Sequence, residues 1–267
     1  MKMDAVVIAG GTPAPGEPLF PFTQGKPKAL LELAGKPMIQ WVLDALDGAE
    51  TIERVIVVGL GADCGVSGAK VCAYTESKGD ILPNIRYGVE QALAMHPATE
   101  YVAVVSSDIP AILPQHVDWV VNNAMQTRED VYYNVITRQV MEARYPGSKR
   151  SYVRLKDVEV CGGDLNVVRT AMVQGRDALW DRIIAARKSA LKQAALLGLD
   201  TLLLLLTHQI TLERAVEKAT RRLHLSGRAL VCPYAEIGMD VDKPHQLEIL
   251  RADLGQRIMT TDESYRL

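Results

Sequence analysis

Short apolar runs alternate with segments of helical periodicity along the first half of the chain. The runs are rich in Val and Ile and are mostly bounded by Gly, Ser or Asp, which is typical of buried strands. They predict strands at 5–9, 54–60, 71–74, 101–106 and 131–135. Between them, apolar residues three and four positions apart predict helices at 38–46, 84–94 and 114–126. This alternation indicates an α/β fold with a doubly wound sheet.

The second half departs from this alternation. A charged connection containing Arg138, Arg144, Lys149 and Arg150 leads to a shorter strand pattern at 152–155. The segment 161–168 then combines a glycine pair with the start of another strand. Helical periodicity then continues from 176 to about 226, with helices predicted at 177–191, 196–206 and 211–223. The chain ends with a strand at 229–233 and a helix at 246–254. We therefore expect one domain, 1–267, that carries a helical subdomain.

The predicted helix at 196–206 is rich in leucine. A membrane-spanning helix needs about 20 apolar residues, and this segment contains Asp200 and ends before His208. We expect it to be buried in the helical subdomain or to form a contact between subunits of a homo-oligomer. Association with a membrane surface is the weaker alternative.

Composition narrows the classes of function. The chain has 30 Lys and Arg against 32 Asp and Glu, a net charge of -2, which argues against a broad nucleic-acid interface. The four cysteines are scattered without a C-x-x-C pair, so we interpret them as small buried residues in a reducing compartment. Met1–Asp4 runs directly into the first predicted strand and lacks a secretory signal. These features predict a cytoplasmic protein.

The first strand ends at a glycine loop. Gly10 and Gly11 follow the run 5–9, and Lys26 and Lys28 stand before the next apolar pattern. Glycines at the carboxyl end of a strand expose backbone N–H groups that can hold an anion. The loop has neither the P-loop nor the Rossmann dinucleotide pattern. It predicts a phosphate-binding site of another kind.

Two aspartates follow other strands. Asp108 comes directly after the strand at 101–106, and Asp242 precedes Pro244, which suits the first turn of the last helix. Each could be a simple capping carboxylate, and Asp240 could alternate out to solvent. In a doubly wound sheet, however, the ends of these strands can converge on the glycine loop. Two carboxylates facing phosphates suit Mg²⁺, which binds few protein carboxylates together with substrate phosphates.

Five short motifs together resemble a known family. They are Val7-Ile8-Ala9-Gly10-Gly11, Pro27-Lys28-Ala29-Leu30-Leu31, Gly35-Lys36-Pro37-Met38, Ser107-Asp108-Ile109-Pro110 and Asp240-Val241-Asp242-Lys243-Pro244. The chain is similar through them to MobA-like and sugar-phosphate nucleotidyltransferases over roughly 3–170 and 229–254. That resemblance implies a three-layer αβα, Rossmann-like mixed sheet of the GT-A nucleotidyltransferase type, with the helical segment as an insertion.

The resemblance also implies roles for individual residues. Lys28 and Asp108 would be catalytic, and Asp108 and Asp242 would hold Mg²⁺ as the cofactor. The residues implied to bind the nucleotide are Ala9, Gly10, Gly11, Thr12, Lys26, Lys28, Asn84 and Gly88. Those implied to bind the acceptor are Gly163, Asp164 and Asn166. The implied partners are an NTP and a small phosphorylated acceptor.

The implied activity is transfer of NMP from an NTP to that acceptor, with release of pyrophosphate. One segment departs from the family pattern, because Thr12–Leu19 replaces the usual Gly-x-Gly-x-Arg segment and lacks its arginine. The alternative hypothesis is therefore a non-catalytic nucleotide-binding or regulatory protein on the same fold. A glycosyltransferase that uses an NDP-sugar is a weaker alternative, because the D-x-D pair at Asp240 and Asp242 lies at the wrong end of the sheet.

Overall fold

The computed structural model describes residues 2–173 and 198–264. Nine strands of this part form one sheet in the order β5-β4-β1-β6-β10-β7-β9-β8, with β11 paired to β7, and β2 and β3 form a separate ribbon. The strands are β1 (Met3–Ile8), β2 (Glu32–Leu33), β3 (Lys36–Pro37), β4 (Ile52–Val58), β5 (Val71–Thr75), β6 (Tyr101–Ser106), β7 (Val131–Thr137), β8 (Val153–Arg154), β9 (Glu159–Gly162), β10 (Leu165–Arg169) and β11 (Gly227–Cys232).

Helices cover both faces of the large sheet. They are α1 (Phe20–Thr23), α2 (Met38–Gly48), α3 (Ile81–Met95), α4 (Pro114–Ala124), α5 (Arg138–Arg144), α6 (Leu199–Leu206), α7 (Leu212–Leu223) and α8 (Pro244–Ser264). The main core packs α2, α4 and α8 on one face, and a second core packs α3 on the other. The predicted three-layer αβα arrangement is confirmed.

The sheet is mixed, and this mixture positions the site. β1 pairs in parallel with β4 and β6, so their carboxyl ends meet at one edge. β10 runs antiparallel to β6 and begins at that same edge, where Leu165 pairs with Val105. The loop before β10 therefore lies beside the segment that follows β6.

The predicted elements agree with the structure where the apolar pattern is strong, as at β6. The charged connection after β7 contains a helix that the sequence did not predict, α5, whose Thr137 cap accepts from the Val140 amide. The last helix extends beyond the predicted 246–254 to Pro244–Ser264. The helix predicted at 177–191 lies outside the described residues.

The expectation that all four cysteines are buried is corrected in part. Cys72 lies in the edge strand β5 and is exposed, and Cys64 lies in the loop before that strand and is half-buried, whereas Cys161 and Cys232 are buried as expected. The leucine-rich helix α6 is only partly buried, with Leu203 62% and Leu206 69% exposed. Full burial within this chain is therefore not seen, and the alternative of a contact between subunits stays a prediction. No helix in the described part of the chain is long and apolar enough to cross a membrane.

Candidate active site

The glycine loop after β1 is closely packed at Gly10 and has free space around Gly11. The Ala9 amide donates to the Val58 carbonyl at 2.8 Å, which continues the pairing with β4. A Cβ on Gly10 would lie 2.6 Å from Ser77 Oγ, whereas one on Gly11 would meet nothing within 4 Å. The Lys28 amide donates to the Gly11 carbonyl at 2.8 Å, and this bond closes the loop.

A cleft of about 900 Å³ opens above this loop. Its described lining includes the predicted residues Gly10, Gly11, Thr12, Lys28 and Asp242. Sequence reasoning missed several other residues of the lining, which are Pro13, Glu17, Pro18, Leu19, Ser77 and Gly79. This volume is within the range of roughly 300–1,000 Å³ typical of small-molecule sites.

Backbone hydrogen bonds bring the two metal-ligand candidates to the cleft. Ser107 follows β6 and its amide donates to the Ile8 carbonyl at 3.1 Å, which sets Asp108 beside the glycine loop. The Val241 amide donates to the Asp108 carbonyl at 3.0 Å, which fixes the segment carrying Asp242. Below it, Gln246 Oε1 accepts from the amide of Asp242 at 3.0 Å and so anchors the start of α8.

Lys28 lies between these carboxylates. Its Nζ donates to Asp108 Oδ2 at 2.5 Å and to Asp242 Oδ1 at 2.8 Å. Burial by itself lowers the pKa of the Lys28 ammonium, but the charges of and hydrogen bonds to Asp108 and Asp242 outweigh it and raise this pKa above its usual value. A positive charge is therefore held firmly between the two aspartates.

The donor set fits Mg²⁺. Asp108 Oδ1 is buried and has no hydrogen-bond partner among the described residues, so it is available as a ligand. The Lys28 ammonium stands where a cation shared by both carboxylates would lie. No group of three or more His, Cys, Asp or Glu suited to a metal occurs in residues 2–173 and 198–264. Two carboxylates, with substrate phosphates supplying further oxygens, match the preference of Mg²⁺.

A second cation lies behind the first, and sequence reasoning missed it. Arg150 donates to Asp240 Oδ1, and its Nη2 is 4.0 Å from Asp164 Oδ2. The expectation that Asp240 alternates out to solvent is wrong, since its side chain is only 12% exposed in this pair. The one signal in the sequence was the basic composition of the 138–150 connection.

Asp164, in the predicted acceptor loop, is a carboxylate whose ionised form is disfavoured by its surroundings. Burial and the negative charge of Asp108 raise its pKa to about 7, with a smaller contribution from Asp242, while Arg150 acts in the opposite direction. Its Oδ2 is buried without a hydrogen-bond partner among the described residues. Four carboxylates, Asp108, Asp164, Asp240 and Asp242, thus lie around the two cations Lys28 and Arg150. Lys149 and Lys243 also line the pocket beside Asp240 and Asp242.

The other acceptor-loop residues hold the loop itself. Asn166 Oδ1 accepts from the Asn134 amide at 2.8 Å, and its Nδ2 donates to the Gly163 carbonyl at 2.9 Å. The Gly163 amide donates to the Asn134 carbonyl at 2.8 Å. The side-chain amide of Asn166 is therefore engaged with backbone, and Asp164 is the member of the trio that faces the carboxylate cluster.

Four predicted nucleotide-binding residues are absent from the described lining of the cleft, and one of them, Ala9, is buried at the end of β1. Asn84 is buried beneath Gly10, and its Oδ1 accepts from the Lys78 amide at 2.6 Å. Gly88 is buried in α3, where a Cβ would lie 2.2 Å from Val6 Cγ1 on β1, so its part is close packing of helix on strand. Lys26 is exposed and is absent from the described lining of the cleft.

The fold and the convergence of carboxylates on a glycine-lined cleft define the class as a nucleotidyltransferase-like α/β protein. A family model described as the MobA-like NTP transferase domain matches residues 5–143, more than half of the 267 residues. The chain belongs to this family, and the resemblance inferred from its motifs is confirmed.

Two relatives are similar to much of the chain. A hypothetical transferase structure from Thermus thermophilus is 32% identical, with a TM-score of 0.80 over 92% of this chain and 100% of that one. A probable molybdenum cofactor guanylyltransferase from Pyrococcus horikoshii is 28% identical over 129 residues, 48% of this chain. The chain spans 60% of the length of that curated relative.

A more distant structure shares the fold alone. A 2-C-methyl-D-erythritol 4-phosphate cytidylyltransferase from Thermus thermophilus is 15% identical, with a TM-score of 0.53 over 96% of this chain and 100% of that chain. The mixed sheet flanked by helices is thus the sheet of a nucleotidyltransferase fold.

Proposed function

We propose that this protein is a Mg²⁺-dependent nucleotidyltransferase that transfers NMP from an NTP to a small phosphorylated acceptor and releases pyrophosphate. The observation that carries the proposal is one cation held by Asp108 at 2.5 Å and by Asp242 at 2.8 Å, at the edge of a glycine-lined cleft. Family membership and the name of the Pyrococcus relative, a guanylyltransferase, support it.

In this proposal the glycine loop holds the triphosphate. The amides of Gly10, Gly11 and Thr12 are the donors offered to phosphate oxygens, because no side chain covers Gly11. Lys28 then moves from the carboxylates toward the triphosphate, where its charge offsets the negative charge that grows on the departing pyrophosphate. Asp108 and Asp242 hold Mg²⁺, which supplies charge neutralisation and orientation of the triphosphate when bound.

The reaction itself is an in-line displacement. A phosphate oxygen of the acceptor forms a bond to the α-phosphorus as the bond from that phosphorus to the α,β-bridging oxygen breaks, and the electron pair leaves with pyrophosphate. An ionised phosphate needs no general base, so positioning is the main task of the protein. The loop Gly163–Asn166 and Arg150 form the side of the site at which the acceptor would be positioned.

The direct test is pyrophosphate release. Each of the four common NTPs would be mixed with Mg²⁺ and with a panel of sugar, alcohol and cofactor-precursor phosphates, and NTP binding would be measured in parallel. We expect release with one NTP and acceptor pair, abolished by EDTA and by Asp108→Asn. Binding of NTP without release for every pair would overturn the proposal.

A second candidate is a nucleotide-binding protein without turnover. Glu17 favours it, because this carboxylate lines the cleft in the segment that replaces the family's arginine-containing pattern, and it accepts from the Ala14 amide at 2.9 Å. Binding of NTP that is equally tight with Mg²⁺ and with EDTA, and that yields no product, would support this candidate.

A further inference from the structure

An apolar cavity of about 500 Å³ lies apart from the cleft, between the sheet and helices α6 and α7. Its walls are almost wholly carbon and include Val135, Leu155, Val160, Leu205, Leu212 and Ala219. The cavity is open to solvent on one side, since Tyr133 and Val153 of its lining are 48% and 54% exposed and α7 has no buried residue. An exposed apolar surface of this extent, in the volume range of ligand sites, points to an apolar ligand.

The cavity opens on the face of the sheet that α3 also covers. Val102 of β6 pairs with Val168 of β10, which pairs with Val131 of β7, so the three side chains share one face. Val102 packs in the core under α3, and Val131 lines the cavity. Asn84 of α3 lies directly beneath Gly10, so the helix that covers this face of the sheet also contacts the glycine loop.

One end of the cavity is the acceptor loop. Cys161 and Gly162 line it and lead directly into Gly163 and Asp164. A Cβ on Gly162 would lie 2.3 Å from the hydroxyl oxygen of Tyr133, whose ring also lines the cavity. The Tyr133 hydroxyl therefore lies beside Gly162, two residues before Asp164, and burial together with the charge of Asp164 raises the pKa of this hydroxyl. A polar end thus joins an apolar interior.

We propose that this cavity holds the hydrocarbon part of the acceptor, which makes the acceptor a phosphorylated amphiphile, an alkyl or isoprenoid-type alcohol phosphate. The phosphate lies at the acceptor loop, facing the α-phosphorus of the NTP, and the chain extends past Tyr133 between β7, β9 and α7. This inference rests on the proposed function for the transfer step, but the cavity's preference for apolar chains is independent of turnover.

The test uses a series of alkyl phosphates. Butyl, hexyl, octyl and decyl phosphate would be titrated into the whole protein by calorimetry, below their micellar concentrations and without nucleotide. Each methylene that enters the cavity contributes about 0.8 kcal/mol, so Kd should tighten about fourfold for each added carbon until the cavity is full. A Kd that does not change with chain length would overturn the proposal.

Variants on α7 locate the chain. Ala219→Trp fills the cavity and should weaken decyl phosphate binding at least tenfold while leaving butyl phosphate binding unchanged, and Ala215→Phe should do the same to a smaller extent. Arg214→Trp is the matched control, because Arg214 is exposed and absent from the described lining. Equal decyl phosphate affinity in Ala219→Trp, Ala215→Phe and Arg214→Trp would overturn this location.

The same ligands separate the two proposals. Pyrophosphate release that is faster with decyl than with butyl phosphate would support both. Chain-length-dependent binding without release from any NTP would leave the apolar site standing and count against nucleotidyl transfer. Release that occurs only with short, polar phosphates would support transfer and overturn the amphiphile.

Discussion

Two cations, each set between two carboxylates, lie side by side in the site, and they differ in exposure. Lys28 bridges Asp108 and Asp242, and the Asp242 side chain is 57% exposed. Arg150 lies between Asp240 and Asp164, and the Arg150 and Asp240 side chains are only 14% and 12% exposed. Lys28 and Asp108 are themselves only 17% and 12% exposed, so the groups differ mainly in their outer carboxylate, because Asp164 is 33% exposed against 57% for Asp242. They also differ in their opening: Lys28 and Asp242 line the cleft of about 900 Å³, whereas Arg150 and Asp240 line a smaller pocket of about 250 Å³. The Lys28 group is therefore the more open group and the Arg150 group the more enclosed one.

This difference indicates that the two groups have different roles. Lysine is a compact charge on a flexible stem and can leave one partner for another, whereas the planar fork of arginine holds a fixed geometry. The Lys28 group can therefore exchange its ammonium for a metal ion and a phosphate. The Arg150 group opens only to the smaller pocket, and we interpret it as the support that keeps Asp240, and through it the segment carrying Asp242, in place.

The largest expected effect is on the open group. Asp108→Asn should lower kcat for pyrophosphate release by about 10³-fold, because it removes a charged metal ligand where charge develops in the transition state. Its melting temperature should stay near that of the unaltered protein, since Asp242 still pairs with Lys28. The control is Glu90→Gln, which alters an exposed carboxylate paired with Arg86 on the surface of α3. Activity within tenfold of the unaltered protein would contradict the role of Asp108.

The enclosed group should matter for stability instead. Arg150→Met leaves the Asp240 carboxylate buried without its partner, and we expect a loss of about 3 kcal/mol in the free energy of unfolding, measured by urea denaturation. Adding Asp240→Asn should restore part of it. Arg138→Met is the control, because Arg138 pairs with Glu159 at an exposed position and should cost little. Equal losses in the two arginine variants would remove the distinction between the groups.

The contrast also explains what could be predicted from the sequence. Strand β6 and the open group could be predicted because a buried apolar run leads to Asp108, and because the carboxyl ends of parallel strands meet at one edge. The seven residues of α5 carry only three apolar side chains, too few for a clear periodic signal. Arg150 and Asp240 are separated by 90 positions, and nothing in their local sequence distinguishes them from surface charges.

A smaller effect should separate the two roles of Lys28. Without nucleotide, Lys28→Met should tighten Mn²⁺ binding at least about threefold, because the metal no longer competes with an ammonium that Asp108 and Asp242 both hold. Electron paramagnetic resonance of free Mn²⁺ measures this directly. Lys26→Met is a matched control, because Lys26 is exposed outside the described lining of the cleft. Weaker Mn²⁺ binding in Lys28→Met than in Lys26→Met would show that Lys28 does not compete with the metal.

The smallest effect concerns Asp164, which faces both groups. Burial and the charges of Asp108 and Asp242 raise its pKa to about 7 in the folded protein, above the value near 4 of an unfolded chain. Folding therefore takes up a proton, and this contribution to stability is present at low pH and is lost as the pH rises toward and past 7. Asp164→Asn cannot ionise, so in EDTA it should gain about 2 °C in melting temperature over the unaltered protein at pH 8 and nothing at pH 4.

Repeating this comparison of melting temperatures in the presence of Mg²⁺ tests the metal site more directly. A divalent ion at Asp108 and Asp242 removes the negative charge that opposes ionisation of Asp164, so 10 mM Mg²⁺ should reduce the advantage of Asp164→Asn at pH 8. Arg150 continues to be paired with Asp240 in that variant, so the enclosed group is unchanged. An advantage of the same size with Mg²⁺ and with EDTA would mean that no metal binds beside Asp164, and the distinction between an exchangeable and a fixed cation would then lose its chemical basis.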